Sequence, residues 1–420
     1  MKNPFLYLIL FVVVFSCDTA DPDPVIDDEP EVISEGVFTV DLPTGYPFGT
    51  SEVWLILHDL EGNPIDYEKV GLGGKAEFDV DRKQRYHLSL YMRTTSFDMD
   101  INFIQTYTNI KATRDITFGL SRTGYSIPEP TGNFDVTIKL SDYGNTAYTS
   151  TSFNTYNPIT NFLEYDIQLI APIYPNEKKY LVTAESKGES RYTFITDPVK
   201  DKSYIFDFES LKTFDKVISI GDISSTNIYY SVNAMNEMDG FYLSGYLVSS
   251  NKFGSSSLEL GYLNEFQIYS TSVNASQRTD AKTTSNYYKI GEIPEKINLL
   301  DIPEIQVQKK QVTDFSVSLF TGSTDYVVVF DYPNLSTYPE PIKNVRWFVY
   351  GNSSTFNLEL PEEIKNTYPL LSDLNKLQLE SVDINKSSIS YDQYIIDELV
   401  EAPILKKVEI SSIRQSFPKN

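Results

Sequence analysis

Sulfur and imidazole are scarce in this chain. Its 420 residues include one cysteine, Cys17, and two histidines, His58 and His87. A single thiol excludes intramolecular disulfides and any cage of thiolates around a metal. Positive charge is also short. The 35 Lys and Arg stand against 58 Asp and Glu, a formal net charge of −23. Binding of nucleic acid depends on clustered cations that release counterions from phosphate, so that partner class is excluded. Catalytic signatures are missing as well: there is no G-x-S-x-G, H-E-x-x-H, P-loop or dinucleotide fingerprint. The expectation is a protein that is not an enzyme and needs no cofactor.

What is present begins at the start of the chain. Lys2 precedes an unbroken apolar run from Phe5 to Phe15, followed by Ser16 and Cys17. A run of this length suits the apolar core of a secretory signal. It is too short to cross a bilayer, which takes about 20 residues as a helix. The stretch Val14-Phe15-Ser16-Cys17 resembles a bacterial lipobox, with Val14 and the bulky Phe15 departing from the usual pattern. Endings in Ser-Cys resemble those of Bacteroidota lipoproteins. The resemblance implies cleavage before Cys17 and acylation of its thiol with chains such as palmitate. At about 0.8 kcal/mol per buried methylene, several chains hold a protein stably on a membrane.

The next eighteen residues, DTADPDPVIDDEPEVISE, carry eight carboxylates from Asp18 to Glu35 and no Lys or Arg. Pro22, Pro24 and Pro30 remove backbone donors and fix φ. High charge with little apolar surface leaves nothing to offset ordering entropy, so an extended tether is expected. At about 3.1 Å per residue it reaches up to roughly 55 Å. Acids directly after an acylated cysteine resemble the surface-export signal of Bacteroidota lipoproteins. Asp18-Thr19-Ala20 is similar to the O-glycosylation pattern of that phylum, which makes Thr19 a candidate for modification. The implied location is the outer membrane, lipid-anchored and exposed at the cell surface, with a periplasm-facing placement as the alternative.

Beyond residue 36 the chain is rich in aromatic and β-branched residues, with 30 Tyr and 25 Phe. They fall in short alternating runs: Val37–Val40, Glu52–Leu57, Tyr86–Tyr91, Phe134–Leu140 and Phe315–Leu319. Period-two alternation broken by Gly, Pro, Asn and Asp is the strand pattern of β-sandwiches. Helical periodicity is nearly absent; the best candidate is Pro361–Tyr368, with a first-turn proline and two acids behind it. Strand-like triplets at Ile116–Phe118, Ile205–Asp207 and Ile297–Leu299 recur at about ninety-residue spacing, a usual size for a sandwich. Each follows a strand led by Tyr or Phe: Tyr86–Leu88, Tyr180–Val182 and Phe266–Ile268. Tandem related domains are expected.

In the first of these, Asp59-Leu60-Glu61-Gly62-Asn63-Pro64-Ile65 reads as a turn between strands. Val70, then Gly74-Lys75-Ala76-Glu77-Phe78-Asp79-Val80, then the strand from Tyr86 follow. This order resembles the transthyretin-like or carboxypeptidase-regulatory type of sandwich. The resemblance implies a scaffold without catalytic residues. The expected fold is all-β, with tandem transthyretin- or immunoglobulin-like sandwiches behind a lipoprotein signal peptide and an acidic linker. The expected segments are 1–16 (signal peptide), 17–35 (tether), and sandwiches at 36–125, 131–215 and 221–331. Residues 332–420 form a β-rich C-terminal region or belong to one unit with the preceding domain.

Candidate chemistry is sparse. His58 and His87 lie in expected strands that hairpin order could make neighbours, where ordinary sheet histidines are the commoner case. Asp79/Asp81, Asp98/Asp100 and Glu237/Asp239 lack the spacing of a calcium loop, and no metal site is expected. Tyrosines can form amphipathic platforms for a glycan or protein surface. The candidate contacts are Tyr229, Tyr230, Tyr287, Tyr288, Trp347 and Tyr350. The polar stretch Thr271–Asn286 is expected to be a structureless loop. The leading expectation is a non-catalytic surface lipoprotein that binds a glycan or protein partner. Alternatives are a fimbrillin-like or fimbria-tip subunit, and an accessory subunit of an exported enzyme or uptake complex.

Overall fold

The computed structural model describes residues 35–43, 50, 52–96, 99–118, 128–140, 145–152, 155–161, 166–186, 188–220, 227–238, 241–251, 258–276, 283–301, 304–332, 342–400 and 407–418. Cys17, Thr19 and the acidic run before Glu35 lie outside them. The fold is all-β, a tandem array of β-sandwiches.

One pairing scheme recurs along the chain. In the first set, Lys75–Asp81, Glu35–Asp41 and Ile116–Thr117 pair in that order, the last two in parallel. Facing them, Pro64–Val70, Glu52–His58, Arg85–Ser96 and Met99–Lys111 pair in that order. The second set repeats this scheme. Asp166–Ile173, Gly132–Lys139 and Ser203–Asp207 form one sheet. Thr155–Asn161, Asn145–Ser150, Lys179–Ser186 and Glu189–Thr196 lead the other.

Two further sets follow. In the third, Lys216–Ser219 pairs with Glu259–Tyr262, and Phe241–Ser250, Asn227–Met238, Tyr269–Ser276 and Thr283–Gly291 form the four-stranded sheet. In the fourth, Asp314–Val317 pairs with Thr355–Phe356, and Ile342–Gly351, Asp325–Asp331, Gln378–Ser387 and Val408–Ser416 form the four-stranded sheet.

The expected ninety-residue repeat is thus visible in pairing, but two of its markers need correcting. Phe266–Ile268 is a turn before the strand, and Ile297–Leu299 joins no ladder. Instead this irregular segment crosses the sheet, where the Ser411 and Ser285 hydroxyls donate to the carbonyls of Asn298 and Leu300. Side-chain donors replace the ladder there.

Three of the four-stranded sheets fuse edge to edge into one sheet of twelve strands. Its strands, numbered in chain order, are β1 (Glu52–His58), β2 (Pro64–Val70), β3 (Arg85–Ser96), β4 (Met99–Lys111), β5 (Asn227–Met238), β6 (Phe241–Ser250), β7 (Tyr269–Ser276), β8 (Thr283–Gly291), β9 (Asp325–Asp331), β10 (Ile342–Gly351), β11 (Gln378–Ser387) and β12 (Val408–Ser416). The spatial order is β6-β5-β7-β8-β12-β11-β9-β10-β4-β3-β1-β2. The β8–β12 junction is antiparallel. The β10–β4 junction is parallel and joins the first set to the fourth across more than two hundred residues of sequence.

Cover on the two faces of this sheet is unequal. One face carries Tyr230, Val273 and Tyr287 at one end and Tyr326, Val328, Trp347 and Ile384 in the middle, all buried. Towards β1 the same face carries Trp54 and Ile56, buried against Leu358, Leu360 and Ile364. The helix that supplies Ile364, α1 (Glu362–Thr367), forms where expected; Pro361 sits just before it and Glu362 and Glu363 in its first turn. On the other face, Val53, Leu55, Leu57, Leu88 and Leu90 pack against Phe38 and Phe78 of the first sandwich. That cover ends near Tyr350 and the helix α2 (Tyr391–Ile395). Beyond it, the same face is half-buried around Asn274 of β7 and Asn286 of β8 and exposed at Tyr229 of β5, while Asp325 and Val329 of β9 and Ser412 of β12 are buried.

Candidate functional site

Period-two alternation divides the expected tyrosine pairs between the faces. Tyr230 is buried and its hydroxyl donates to the Glu259 carbonyl at 2.8 Å. Tyr287 is buried and donates to Glu409 Oε1 at 3.1 Å. Both rings belong to the core of the third sandwich, where neighbours occupy the faces a ligand would need. Their sequence neighbours point the opposite way. Tyr229 is 51% exposed and Tyr288 is half-buried.

The remaining two aromatic candidates belong to the junction of the first and fourth sets. Trp347 is fully buried, and its indole N–H donates to Thr106 Oγ1 at 2.8 Å. Tyr350 lies opposite Tyr107 across the parallel pair, and the two rings stack with centroids 4.8 Å apart. Packing at a sheet junction, rather than ligand contact, accounts for both.

The open face carries a row of side chains that sequence reading missed. Register places Tyr229 (β5) opposite Asn274 (β7), Asn274 opposite Asn286 (β8), and Asn286 opposite Ser412 (β12). Ser412 is opposite Asn385 (β11), and Asn385 opposite Asp325 (β9). Six residues therefore form one rung across six strands. Asn274 Nδ2 donates to Asn286 Oδ1 at 2.6 Å, and Asn286 Nδ2 donates to Ser412 Oγ at 3.2 Å. Asn385 Nδ2 donates to Asp325 Oδ1 at 2.6 Å, and the Thr324 hydroxyl donates to Asp325 Oδ2 at 2.7 Å.

Asp383 stands on the same face of β11, two residues from Asn385 and opposite Arg414 of β12. Burial pushes its carboxyl up to about 6, against the pull of the Ser412 hydroxyl and the Arg414 charge and with the help of Asp325. Its Oδ1 is buried with no hydrogen-bond partner among the described residues. Leaving that oxygen desolvated and unpaired disfavours the ionised form, in line with the raised pKa.

Asn274 and Asn286 both lie in the stretch Thr271–Asn286 expected to be a loop, and this expectation is corrected. Thr271 to Ser276 and Thr283 to Asn286 lie in an antiparallel pair, with residues 277–282 outside the described ones. Their polarity reflects the open face, while Val273 and Ala275 fill the core on the alternate positions. The only sequence signal was that alternation, masked because the buried residues are small.

The two histidines are directly opposite one another on β1 and β3, and both are buried. His58 Nδ1 lies 3.3 Å from the Gly62 carbonyl, which can only accept, so this nitrogen carries the proton. Its Nε2 then accepts from Ser89 Oγ at 2.8 Å, and Ser89 accepts from Thr106 Oγ1 at 2.7 Å. Thr106 in turn accepts from Trp347, so a one-directional chain of hydrogen bonds links the first set to the fourth. Burial first, and the facing His87 second, drop the His58 pKa to about 3. His87 Nδ1 accepts the Asn109 N–H at 2.9 Å, and burial lowers its pKa too. Neutral, satisfied imidazoles of this kind hold a junction together.

A second network stands on the far side of that junction. Glu52 receives Lys69 at 2.6 Å, Tyr368 at 2.5 Å and Arg93 at 3.1 Å, and Arg93 also forks onto Asp100. Those hydrogen bonds, led by Lys69, hold the Glu52 carboxyl below its usual range. Asp79 and Asp81 sit along a single strand, whereas Asp98 and the side chains of Glu237 and Asp239 lie outside the described residues. Among the described residues no group of three or more His, Cys, Asp or Glu is placed to hold a metal ion, and no helix is long and apolar enough to cross a membrane. Neither a scan against protein-family models nor a search of curated proteins returns a match to this chain.

Proposed function

We propose that this chain is a non-catalytic lipoprotein, anchored at the outer membrane through acylated Cys17, that binds a glycan on the open face of its long sheet. The observation that carries this reading is the separation of each tyrosine pair. Tyr230 and Tyr287 serve the core, while Tyr229 and Tyr288 are left on a face lined with amides, hydroxyls and carboxylates. An aromatic ring offers a platform for the C–H face of a sugar, and the polar groups exchange hydrogen bonds with its hydroxyls. The acidic tether from Asp18 to Glu35 would hold this face clear of the membrane. The resemblance to Bacteroidota-type surface lipoproteins with transthyretin-like modules supports display at the cell surface.

The fimbrial reading draws on strand addition, which needs a receptive sheet edge. Of the two edge strands of the long sheet, β2 and β6, β2 carries Asp66, Glu68 and Lys69 in exposed positions, and charges of this sort resist an added strand there. Binding is therefore the better supported activity. The test is a glycan array probed with the full chain in detergent. A signal that weakens in Tyr229→Ala supports the reading, and a wild-type signal no higher than background on every glycan overturns it.

A further inference from the structure

We infer that the occupant of the open face is a linear, neutral polysaccharide that crosses the strands along the rung from Tyr229 to Asp325. This rests on the glycan reading above and adds the ligand's shape, charge and direction.

Shape follows from register. The six rung residues are directly opposite one another on successive antiparallel strands, so the row runs perpendicular to the strands. Five strand-to-strand steps of about 4.8 Å span about 24 Å, the length of several sugar rings. Between Tyr229 and Asp325 the rung is built only of Asn and Ser; the three asparagines are half-buried and Ser412 and Asp325 buried, so the row forms the floor of a low track. Such a track fits an extended chain laid along it.

Chemistry follows from the groups along the row. Each asparagine offers two N–H donors and a carbonyl acceptor. Asn274 spends one N–H on Asn286, and Asn385 spends one on Asp325. The remaining donors and acceptors repeat from strand to strand, as the hydroxyls of a polysaccharide repeat from ring to ring. At the β5 end, the exposed ring of Tyr229 supplies the apolar contact.

Charge selects against acidic polymers. A uronate- or sulfate-bearing chain would meet Asp325 and Asp383 on a protein of net charge −23. A polyhydroxyl chain without charge avoids that penalty and matches the uncharged amides and hydroxyl between the ends of the rung.

Affinity electrophoresis of the full chain in detergent tests this. The gels carry hydroxyethylcellulose, xylan, laminarin or starch as neutral probes, and alginate or hyaluronan as anionic ones. Retardation is expected with at least one neutral polymer and with neither anionic one. The Asn274→Ala/Asn286→Ala double variant and Tyr229→Ala should each weaken that retention at least tenfold. Ile205→Ala, an exposed site on the separate three-stranded sheet of the second set, should leave it unchanged. Thermal melts within a few degrees of wild type confirm that the variants fold. Retention by the anionic gels, or full retention in both rung variants, overturns the inference while the glycan reading survives. Absence of binding to every polysaccharide, alongside a blank glycan array, overturns both.

Discussion

Strands β1 and β7 are both inner strands, each paired on both sides within its four-stranded sheet, yet they read as opposites. β1 is EVWLILH, buried at every position after Glu52. β7 is YSTSVNAS, with buried and half-buried residues alternating throughout. The difference lies in what covers them. β1 has the first sandwich on one face and the segment around α1 on the other, so both of its faces must be apolar or satisfied. β7 has cover on one face alone. The same pairing scheme thus yields a sealed junction at one end of the sheet and a half-exposed polar face at the other.

The sealed end should break most readily at Gly62. Its φ of +85° is a left-handed conformation, and a Cβ there would lie 1.5 Å from the Asn357 carbonyl oxygen. Gly62 O also receives Glu359 N–H at 3.1 Å and faces His58, so the turn clasps the first set to the fourth. Gly62→Ala is expected to cost on the order of 5 kcal/mol, through backbone strain and forced separation. The urea midpoint of unfolding checks this, and an unchanged midpoint would show that the turn carries no such constraint.

Next in size is the acid response of His58. Its pKa is about 3 in the folded chain against an ordinary value near 6.5, so the unfolded state binds more protons between these limits. The stabilisation is complete above about pH 6.5 and is lost as pH falls towards 3, a total just under about 5 kcal/mol. Unfolding free energy measured from pH 7 to pH 4 should fall steeply in the wild type. In His58→Gln the slope should flatten, and an identical slope would sink the assignment.

Much of the sealed end was legible in the sequence. The D-x-x-G-x-P-I turn, the strand after it and the first-turn proline before α1 all announce local structure, and each forms where expected. The parallel β10–β4 junction was not legible, because no local pattern encodes pairing between residues 99–107 and 342–350. Helix α2 was missed although Ser390 and Gln393 sit at the spacing of a capping box, and the Ser390 side chain does accept from Gln393 N–H. Its five residues are too few to show periodicity. The open face was half legible. Doubled tyrosines drew attention, but only register shows which of each pair turns outward. The asparagine rung depends on six strands aligned in space, which composition cannot convey.

At the open end the acid response should run the other way. Asp383 has its carboxyl raised from 3.8 to about 6, so the folded state binds the extra proton. Its contribution is present below about pH 3.8 and is lost as pH rises through 6. Removing the charge with Asp383→Asn should therefore stabilise the chain at pH 7 by about 3 kcal/mol and change little at pH 3.8. Paired melts of variant and wild type at the two pH values give the comparison. Equal shifts at both would mean that packing, not ionisation, governs this site.

The smallest expected effect on stability is also the sharpest divider of the two ends. Tyr229 projects from the same strand as Tyr230, but its ring is more than half exposed, and truncation there removes little buried surface. Tyr229→Ala should shift stability by under about 0.5 kcal/mol while reducing glycan retention. Tyr230→Ala should do the reverse, costing about 3 to 5 kcal/mol through the cavity left in the core of the third sandwich. Neighbouring tyrosines that split in this way, one read by calorimetry and the other by affinity electrophoresis, would show that one face of β5 is built for packing and the other for binding. Equal losses of stability in both variants would instead mean that the outer face is covered.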